Sequence, residues 1–309
     1  MSLRKPRALQ PGDRIAVVAP ASPFDQAEFE AGIAELRQLG FEPVHDDRVF
    51  ERRAYVAGPP EVRASAWRDA WADDTVSALI AVRGGYGSVQ LLPLLGGLAV
   101  SNTPKIFMGY SDTTSLLIWL TLQQGIVSFH GPMLEGRFAR GPLGYDRDTF
   151  SRVACQPLPA GAITHPSMEP LKHGEAVGML IGGTLTQLLA SLGTPYAFDP
   201  PQDHVLFIDE VAERPYRIDR MITQLRLSGI LARASALVFG ELPRCDEPGG
   251  DPAIRSVIAD LVADFPGPVL FGLPSGHTTG ATLTLPFGVA ARVVTNPFPA
   301  LIIEEAAVS

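Results

Sequence analysis

Lys105-Ile-Phe-Met-Gly-Tyr-Ser-Asp-Thr-Thr114 is a short apolar run that breaks at Gly109 and turns into a helical pattern reaching Gln124. Such a run, without polar alternation, reads as a strand covered on both faces. The same strand-then-helix unit recurs upstream. Arg14-Ile-Ala-Val-Val-Ala19 is an apolar run ended by Pro20, and Phe24 to Leu39 has helical spacing that stops at Gly40. Phe41-Glu-Pro-Val44 reads as a strand whose proline puts it near a sheet edge. Pro60 to Trp71 is helical, Val76 to Val82 is another buried strand, Ser88 to Leu95 a short helix, and Ile126 to Phe129 a further strand. Repeated β-α-β units predict an α/β lobe with a parallel sheet and functional groups at the carboxyl ends of its strands.

Beyond this lobe the pattern lapses. Pro142, Pro157, Pro159, Pro166 and Pro170 interrupt a stretch with one modest helix, around Tyr145 to Ala154. Residues 136–172 are therefore read as a Pro-rich linker between an N-terminal domain (1–135) and a C-terminal domain (173–309). The second domain is read as strands at Gly174 to Gly182, Val205 to Ile208, Ala236 to Gly240, Val269 to Gly272, Ala281 to Leu285, Ala290 to Thr295 and Ala300 to Glu304. Helices are placed at Thr184 to Leu192 and Tyr216 to Leu231. Many short strands separated by Gly/Pro turns suggest a β-rich, barrel-like lobe.

Composition narrows the function. The chain has 309 residues, 46% of them hydrophobic, enough for two cores. Lys plus Arg number 25 and Asp plus Glu 33, so 25 − 33 = −8, with no basic block to meet nucleic-acid phosphates. The most apolar stretch, Ser115 to Leu122, falls short of the roughly 18–20 residues of a membrane span. No apolar segment follows the basic Met1-Ser-Leu-Arg-Lys-Pro6 start, and the two cysteines, Cys155 and Cys245, form no CxxC pair. These features suggest a cytoplasmic protein without a disulfide framework. No GxGxxG follows the first strand, and neither GxxxxGK[ST] nor HExxH occurs, so no motif points to a cofactor or a metal. His173 and Glu175 form a lone pair of potential ligands beside the linker, read as solvated side chains and not as a metal site.

Ser111 lies at the sharp turn from strand to helix, where a hydroxyl stands above the sheet beside free helix N–H groups. The turn is like a nucleophile elbow, though Thr113 replaces the second glycine of Gly-x-Ser-x-Gly. Ser111 or Asp112 as a simple N-cap is the plainer alternative. A serine nucleophile needs a base and an orienter for that base. His277, in the polar loop Leu273-Pro-Ser-Gly-His-Thr-Thr-Gly280, is the candidate base. Asp209 and Glu210 end an apolar strand on opposite faces, so only one can reach it. Arg83-Gly-Gly-Tyr-Gly87, at another strand end, offers unobstructed amides that could complete an oxyanion hole with the Asp112 N–H. Arg217 and Arg220 are read as an ion-paired or solvated face.

Several segments, taken in order, resemble the LD-carboxypeptidase family of serine peptidases. In the first lobe they are Leu9-Gln-Pro-Gly-Asp-Arg-Ile-Ala-Val-Val-Ala-Pro-Ala-Ser22, Arg83 to Gly87, Gly109-Tyr-Ser-Asp-Thr-Thr114 and Phe129-His-Gly-Pro-Met133. In the second they are Gly182-Gly-Thr-Leu185, Pro215-Tyr-Arg-Ile-Asp-Arg220, and Gly276-His277 followed by Leu283-Thr-Leu-Pro-Phe-Gly288. The resemblance implies a Rossmann- or flavodoxin-like N-terminal lobe, a swivelling barrel-like C-terminal lobe, an active site between them, and a homodimer. It implies no cofactor, no metal and a Ser-His-Glu triad, with Ser111 as nucleophile, His277 as base, and the amides of Gly85 and Asp112 as oxyanion hole. Arg83, Gly84 and Tyr86 would contact substrate. Where the family has glutamate, the gap-free spacing back from Pro215-Tyr216-Arg217 favours Asp209 over Glu210. The substrate implied is a small muropeptide that loses terminal D-alanine from meso-diaminopimelate, with no nucleic-acid or membrane partner. A related branch cleaves aminoacyl-nucleotide analogues of the microcin C type, but its frequent tryptophan is missing here, where Leu180 and Ile181 precede Gly182-Gly183. A non-catalytic binding protein is the alternative from a different class.

Overall fold

The computed structural model describes residues 3–96 and 103–309; Met1 and Ser2, the head of the basic start, lie outside them. The first half follows the expected alternation: β1 (Arg14–Val18), α1 (Gln26–Gln38), β2 (Glu42–Val44), α2 (Pro60–Ala72), β3 (Val76–Ala81), α3 (Leu92–Leu95), β4 (Ile106–Gly109), α4 (Thr114–Ile118) and β5 (Ser128–His130). Local chemistry sets the boundaries. The Asp25 side chain accepts from the Glu28 N–H at 3.0 Å to cap α1, which buries Phe29, Ile33 and Leu36 before Gly40 takes φ +90°. Strands β2-β1-β3-β4-β5 are parallel neighbours, with β2 at the edge as its proline requires. Except for Arg14 and Ser77, every residue of β1, β3 and β4 is buried, which is why their sequences lack alternation.

The remainder comprises α5 (Arg147–Ala154), β6 (Pro159–Ile163), β7 (Glu169–Lys172), β8 (Glu175–Thr184), α6 (Leu185–Ala190), β9 (His204–Asp209), α7 (Pro215–Leu227), α8 (Ile230–Arg233), β10 (Ala234–Gly240), α9 (Ile254–Leu261), β11 (Val269–Leu273), β12 (Leu285–Phe287), β13 (Ala290–Val294) and β14 (Ala300–Ala306). Its eight-stranded sheet runs β6-β14-β13-β8-β9-β10-β11-β7, with β8 to β11 parallel and the flanks antiparallel. Strand β9 is buried at every position and ends on Asp209.

Three expectations change. Residues 136–172, read as a linker, hold α5 and supply both edge strands, β6 and β7, of the second sheet. Proline is compatible with strand edges, and Pro159 and Pro170 sit on these. The strand expected at Ala281 to Leu285 begins instead at Leu285, and it pairs antiparallel with β5 in the first sheet. The chain thus recrosses between the sheets just after His277. Helix α9 was not anticipated, and the long helix expected at Tyr216 to Leu231 is broken by Gly229 at φ +78°. Among the described residues no helix is long and apolar enough to cross a membrane.

Candidate active site

Ser111 follows the last residue of β4 by two positions and adopts φ +62°, a left-handed conformation that is costly for a non-glycine residue. Tyr110 to Thr113 form a tight 3₁₀ turn, in which the Asp112 N–H has no acceptor one turn earlier. The turn is tied to the glycine-rich segment beside it: the Ser88 N–H donates to Asp112 Oδ2 at 2.8 Å, and Ser88 Oγ to the Asp112 carbonyl at 2.6 Å. Burial pushes the Asp112 carboxyl pKa up, against these hydrogen bonds. Its side chain is therefore a structural tie to Ser88, while its backbone N–H adjoins Ser111.

Gly84 packs directly on Ser111. A Cβ there would sit 2.8 Å from Ser111 Cβ and 3.0 Å from Ser111 Oγ, a clash that forces the serine to move. Arg83, Gly84, Gly85, Ser111 and His277 line one cavity of about 400 Å³, with Glu28, Glu135 and Tyr110 also in its wall. Arg83 pairs with Glu135 at 3.4 Å. Tyr86 does not line this cavity; its ring packs edge-on against exposed Tyr55 at 5.6 Å.

His277 reaches the cavity from the other sheet. Its Nδ1 lies 2.7 Å from Asp209 Oδ2, and its backbone N–H donates to Asp209 Oδ1 at 3.1 Å. Thr184, opposite Asp209 in the β8–β9 register, donates its hydroxyl to the same Oδ2 at 3.3 Å. Gly276 makes this approach possible. At φ +77° its Cβ would fall 2.5 Å from Asp209 Oδ2 and 2.7 Å from His130 Cε1. Burial alone would lower the His277 pKa, but the charge of Asp209 and its hydrogen bond outweigh it, and the net shift is upward.

Glu210 points elsewhere. It accepts from the Thr186 N–H and hydroxyl at 2.9 and 2.6 Å and from the Val211 N–H at 3.0 Å, and burial raises its pKa. Of the two adjacent carboxylates, Asp209 therefore meets the imidazole, while Glu210 ties β9 to the start of α6. Arg217 pairs with Glu213 on the exposed face of α7, as expected.

Three further residues shape the site. Tyr110 is buried with its ring edge-on to the His277 ring at 5.1 Å. Arg137 is buried and donates to the Gly276, Thr278, Gly280 and Gly144 carbonyls and to the Tyr110 hydroxyl. It thereby fixes the His277 loop against the residue preceding Ser111. His130, at the end of β5, is fully buried beneath Gly276, with Nδ1 3.1 Å from Ser275 Oγ. Arg137 lay in the supposed linker, where no local pattern marks a buried arginine. His130 ends β5 and Tyr110 directly follows β4, and that strand-end position is the signal the sequence carries for them.

Burial lowers the His130 pKa from 6.5 to about 4. A histidine buried neutral favours folding above its unfolded pKa, and that contribution is lost as pH falls toward the folded value. The fold should lose about 3 kcal/mol from this source between pH 6.5 and 4. Denaturant melts across this range should show the slope in the wild type and a shallower one in His130→Gln; equal slopes would contradict it.

A strained serine above a parallel sheet, beside a histidine held by a buried carboxylate, is the working arrangement of serine hydrolases. Residues 15–131 match the LD-carboxypeptidase N-terminal domain, and residues 177–293 match the LD-carboxypeptidase C-terminal domain. A probable murein peptide carboxypeptidase of Bacillus subtilis is 31% identical over 99% of this chain and 95% of its own. The crystal structure of muramoyltetrapeptide carboxypeptidase from Oxalobacter formigenes is 30% identical, with TM-score 0.83 over 95% of this chain and 99% of that one. A microcin C7 self-immunity protein in complex with aspartyl sulfamoyl adenosine shares the fold, with TM-score 0.91 and 24% identity over 99% and 100% of the two chains. The chain belongs to the LD-carboxypeptidase family. It is a serine-type carboxypeptidase, which removes the non-catalytic alternative.

Proposed function

We propose that this carboxypeptidase hydrolyses the amide between meso-diaminopimelate and terminal D-alanine in muropeptides, through the triad Ser111, His277 and Asp209. The observation that carries the reading is the 2.7 Å contact between His277 Nδ1 and buried Asp209, in a cavity whose wall also holds Ser111. The carboxylate fixes the tautomer with hydrogen on Nδ1 and leaves Nε2 free to take a proton. His277 removes the proton from Ser111 Oγ as the oxygen attacks the carbonyl carbon. The resulting oxyanion is held by the N–H groups of Asp112 and Gly85. The imidazolium then protonates the leaving D-alanine nitrogen, the C–N bond breaks, and an acyl ester remains on Ser111. Water, deprotonated by the same imidazole, releases the shortened peptide.

Arg83 and Gly84 are assigned to substrate contact, since both line the cavity; Tyr86, which packs on Tyr55 outside its wall, is not. The muropeptide reading draws on relatives named for murein peptides at 30 to 31% identity. The aminoacyl-nucleotide reading draws on likeness of fold, and Leu180 and Ile181 are both buried apolar side chains that offer no aromatic face to a nucleobase. A cytoplasmic location and a homodimer are the form the family resemblance implies; cell fractionation and light scattering test them.

The reaction is tested by incubating the protein with L-Ala-γ-D-Glu-meso-diaminopimelyl-D-Ala and following D-alanine by mass spectrometry. Stoichiometric release supports the reading, and an intact tetrapeptide overturns it. Gly84→Ala supplies a geometric check. Its methyl group must displace Ser111, and a displacement near 1 Å costs about 100-fold in turnover. Turnover within a few-fold of the wild type would show that the Ser111 position is not critical.

A further inference from the structure

A carboxypeptidase must recognise a chain end, and the end differs from an interior residue by its free carboxylate. We propose that Arg244 binds the terminal carboxylate of the departing amino acid, in a second cavity that shares His277 with the first. The inference rests on the roles of Ser111 and His277 proposed above and adds the subsite for the leaving group.

Three arginines lie around His277, and two are already engaged. Arg83 pairs with Glu135 at 3.4 Å and donates to the Pro23 carbonyl at 3.3 Å. Arg137 spends its donors on four carbonyls and the Tyr110 hydroxyl. Arg244 is exposed, and its side chain makes no hydrogen bond or ion pair among the described residues. The acid three residues upstream, Glu241, accepts from the Thr278 hydroxyl and from the Thr279 N–H and hydroxyl, all on Oε2. Of the three, Arg244 is thus the one whose guanidinium holds no protein partner among the described residues, and it can bind a carboxylate through two parallel N–H···O bonds.

Position supports the assignment. Arg244, Val211, Pro243, Thr278 and Thr279 line a cavity of about 300 Å³ with His277 in its wall. Of these two cavities' lining residues, His277 alone is common to both. The acyl part of the substrate occupies the side of Ser111, and the imidazole hands its proton to the leaving nitrogen. In an α-amino acid only one carbon separates that nitrogen from the carboxylate. A cation reading the carboxylate must therefore lie within reach of the imidazole edge, and Arg244 shares a cavity wall with His277.

The turn that presents Arg244 is strained and held. Arg244 has φ +60° and Leu242 φ +50°, while the Pro243 carbonyl accepts from the Ala212 N–H at 3.1 Å. Leu242 and Cys245 on either side are buried. Non-glycine residues keep such conformations where their surroundings enforce them, and these positions cluster at ligand sites. The turn thus fixes the backbone and leaves the guanidinium free to close on an anion.

The test compares the tetrapeptide with its C-terminal amide as substrates for wild type, Arg244→Ala and Arg244→Lys. A charge-assisted bidentate contact predicts that the wild type prefers the free acid, and that Arg244→Ala loses about 10- to 100-fold in kcat/KM on the acid, bringing acid and amide together. Arg244→Lys should recover part of the preference. Equal losses on acid and amide, or an undiminished preference for the acid, would overturn the proposal. A second readout separates it from the muropeptide reading. Free D-alanine should slow fluorophosphonate labelling of Ser111 in the wild type and not in Arg244→Ala. Protection without tetrapeptide cleavage would keep the subsite and overturn the muropeptide. Cleavage without differential protection would overturn the subsite alone.

Discussion

Ser111→Ala is expected to lower D-alanine release from the tetrapeptide by about 10⁴- to 10⁶-fold, the range seen when a serine nucleophile is removed. The size of the effect follows from what remains. Alanine keeps the turn, the cavity and the neighbouring amides, so substrate still binds, but no acyl ester can form. Ser111 already sits at φ +62°, and alanine suffers the same steric cost there, so the folded state should change little. Thermal unfolding within a degree or two of the wild type, together with lost turnover, separates a chemical role from a structural one. Turnover that survives the substitution would remove Ser111 from the mechanism.

The second large effect falls on the adjacent carboxylates, which make different contacts: Asp209 with His277, Glu210 with Thr186 and Val211. Asp209→Ala should cost about 10⁴-fold in kcat, because the imidazole loses both its tautomer and the charge that stabilises its protonated form. Glu210→Ala should change kcat by less than about 10-fold. Its cost appears in stability, about 1–3 kcal/mol, as the Thr186 and Val211 N–H groups lose a buried acceptor. The opposite ranking would move the triad to Glu210. A pH profile gives an independent reading of the same contact. His277 must be neutral to act as base, and Asp209 raises its pKa against the opposing effect of burial. The acid limb of kcat/KM should therefore have its midpoint above 6.5 in the wild type and lower in the residual activity of Asp209→Asn. Linked stability has the matching sign. The protonated pair stabilises the fold below the unfolded pKa of histidine, and that share is lost as pH rises through the folded value.

Much of this arrangement was legible before any coordinates. Buried strands β1, β3 and β4 announce themselves by unbroken apolar runs, and Ser111 and His277 lie at a strand end and a Gly-rich loop, where the competing reading for the serine is a helix N-cap. The choice between Asp209 and Glu210 could be framed from strand alternation, yet only the register of β9 against β8 and the approach of Gly276 show which face meets the imidazole. Residues 136–172 misled because proline density marks linkers and sheet edges alike, and β6 and β7 are edges. Strand β12 joins the first sheet through a pairing with β5 that spans more than half the chain, and no local pattern encodes such a partner. Arg137 escaped for a related reason: its value lies in four carbonyls, three of them on the His277 loop, that only the folded chain brings together.

The most direct measurement is a single incubation of wild type and Ser111→Ala with the tetrapeptide and, separately, with aspartyl sulfamoyl adenosine, followed by mass spectrometry of released amino acid. The account predicts D-alanine from the tetrapeptide with the wild type alone, and little or no aspartate from the nucleotide analogue. Aspartate release without D-alanine, or D-alanine release that persists in Ser111→Ala, would contradict it.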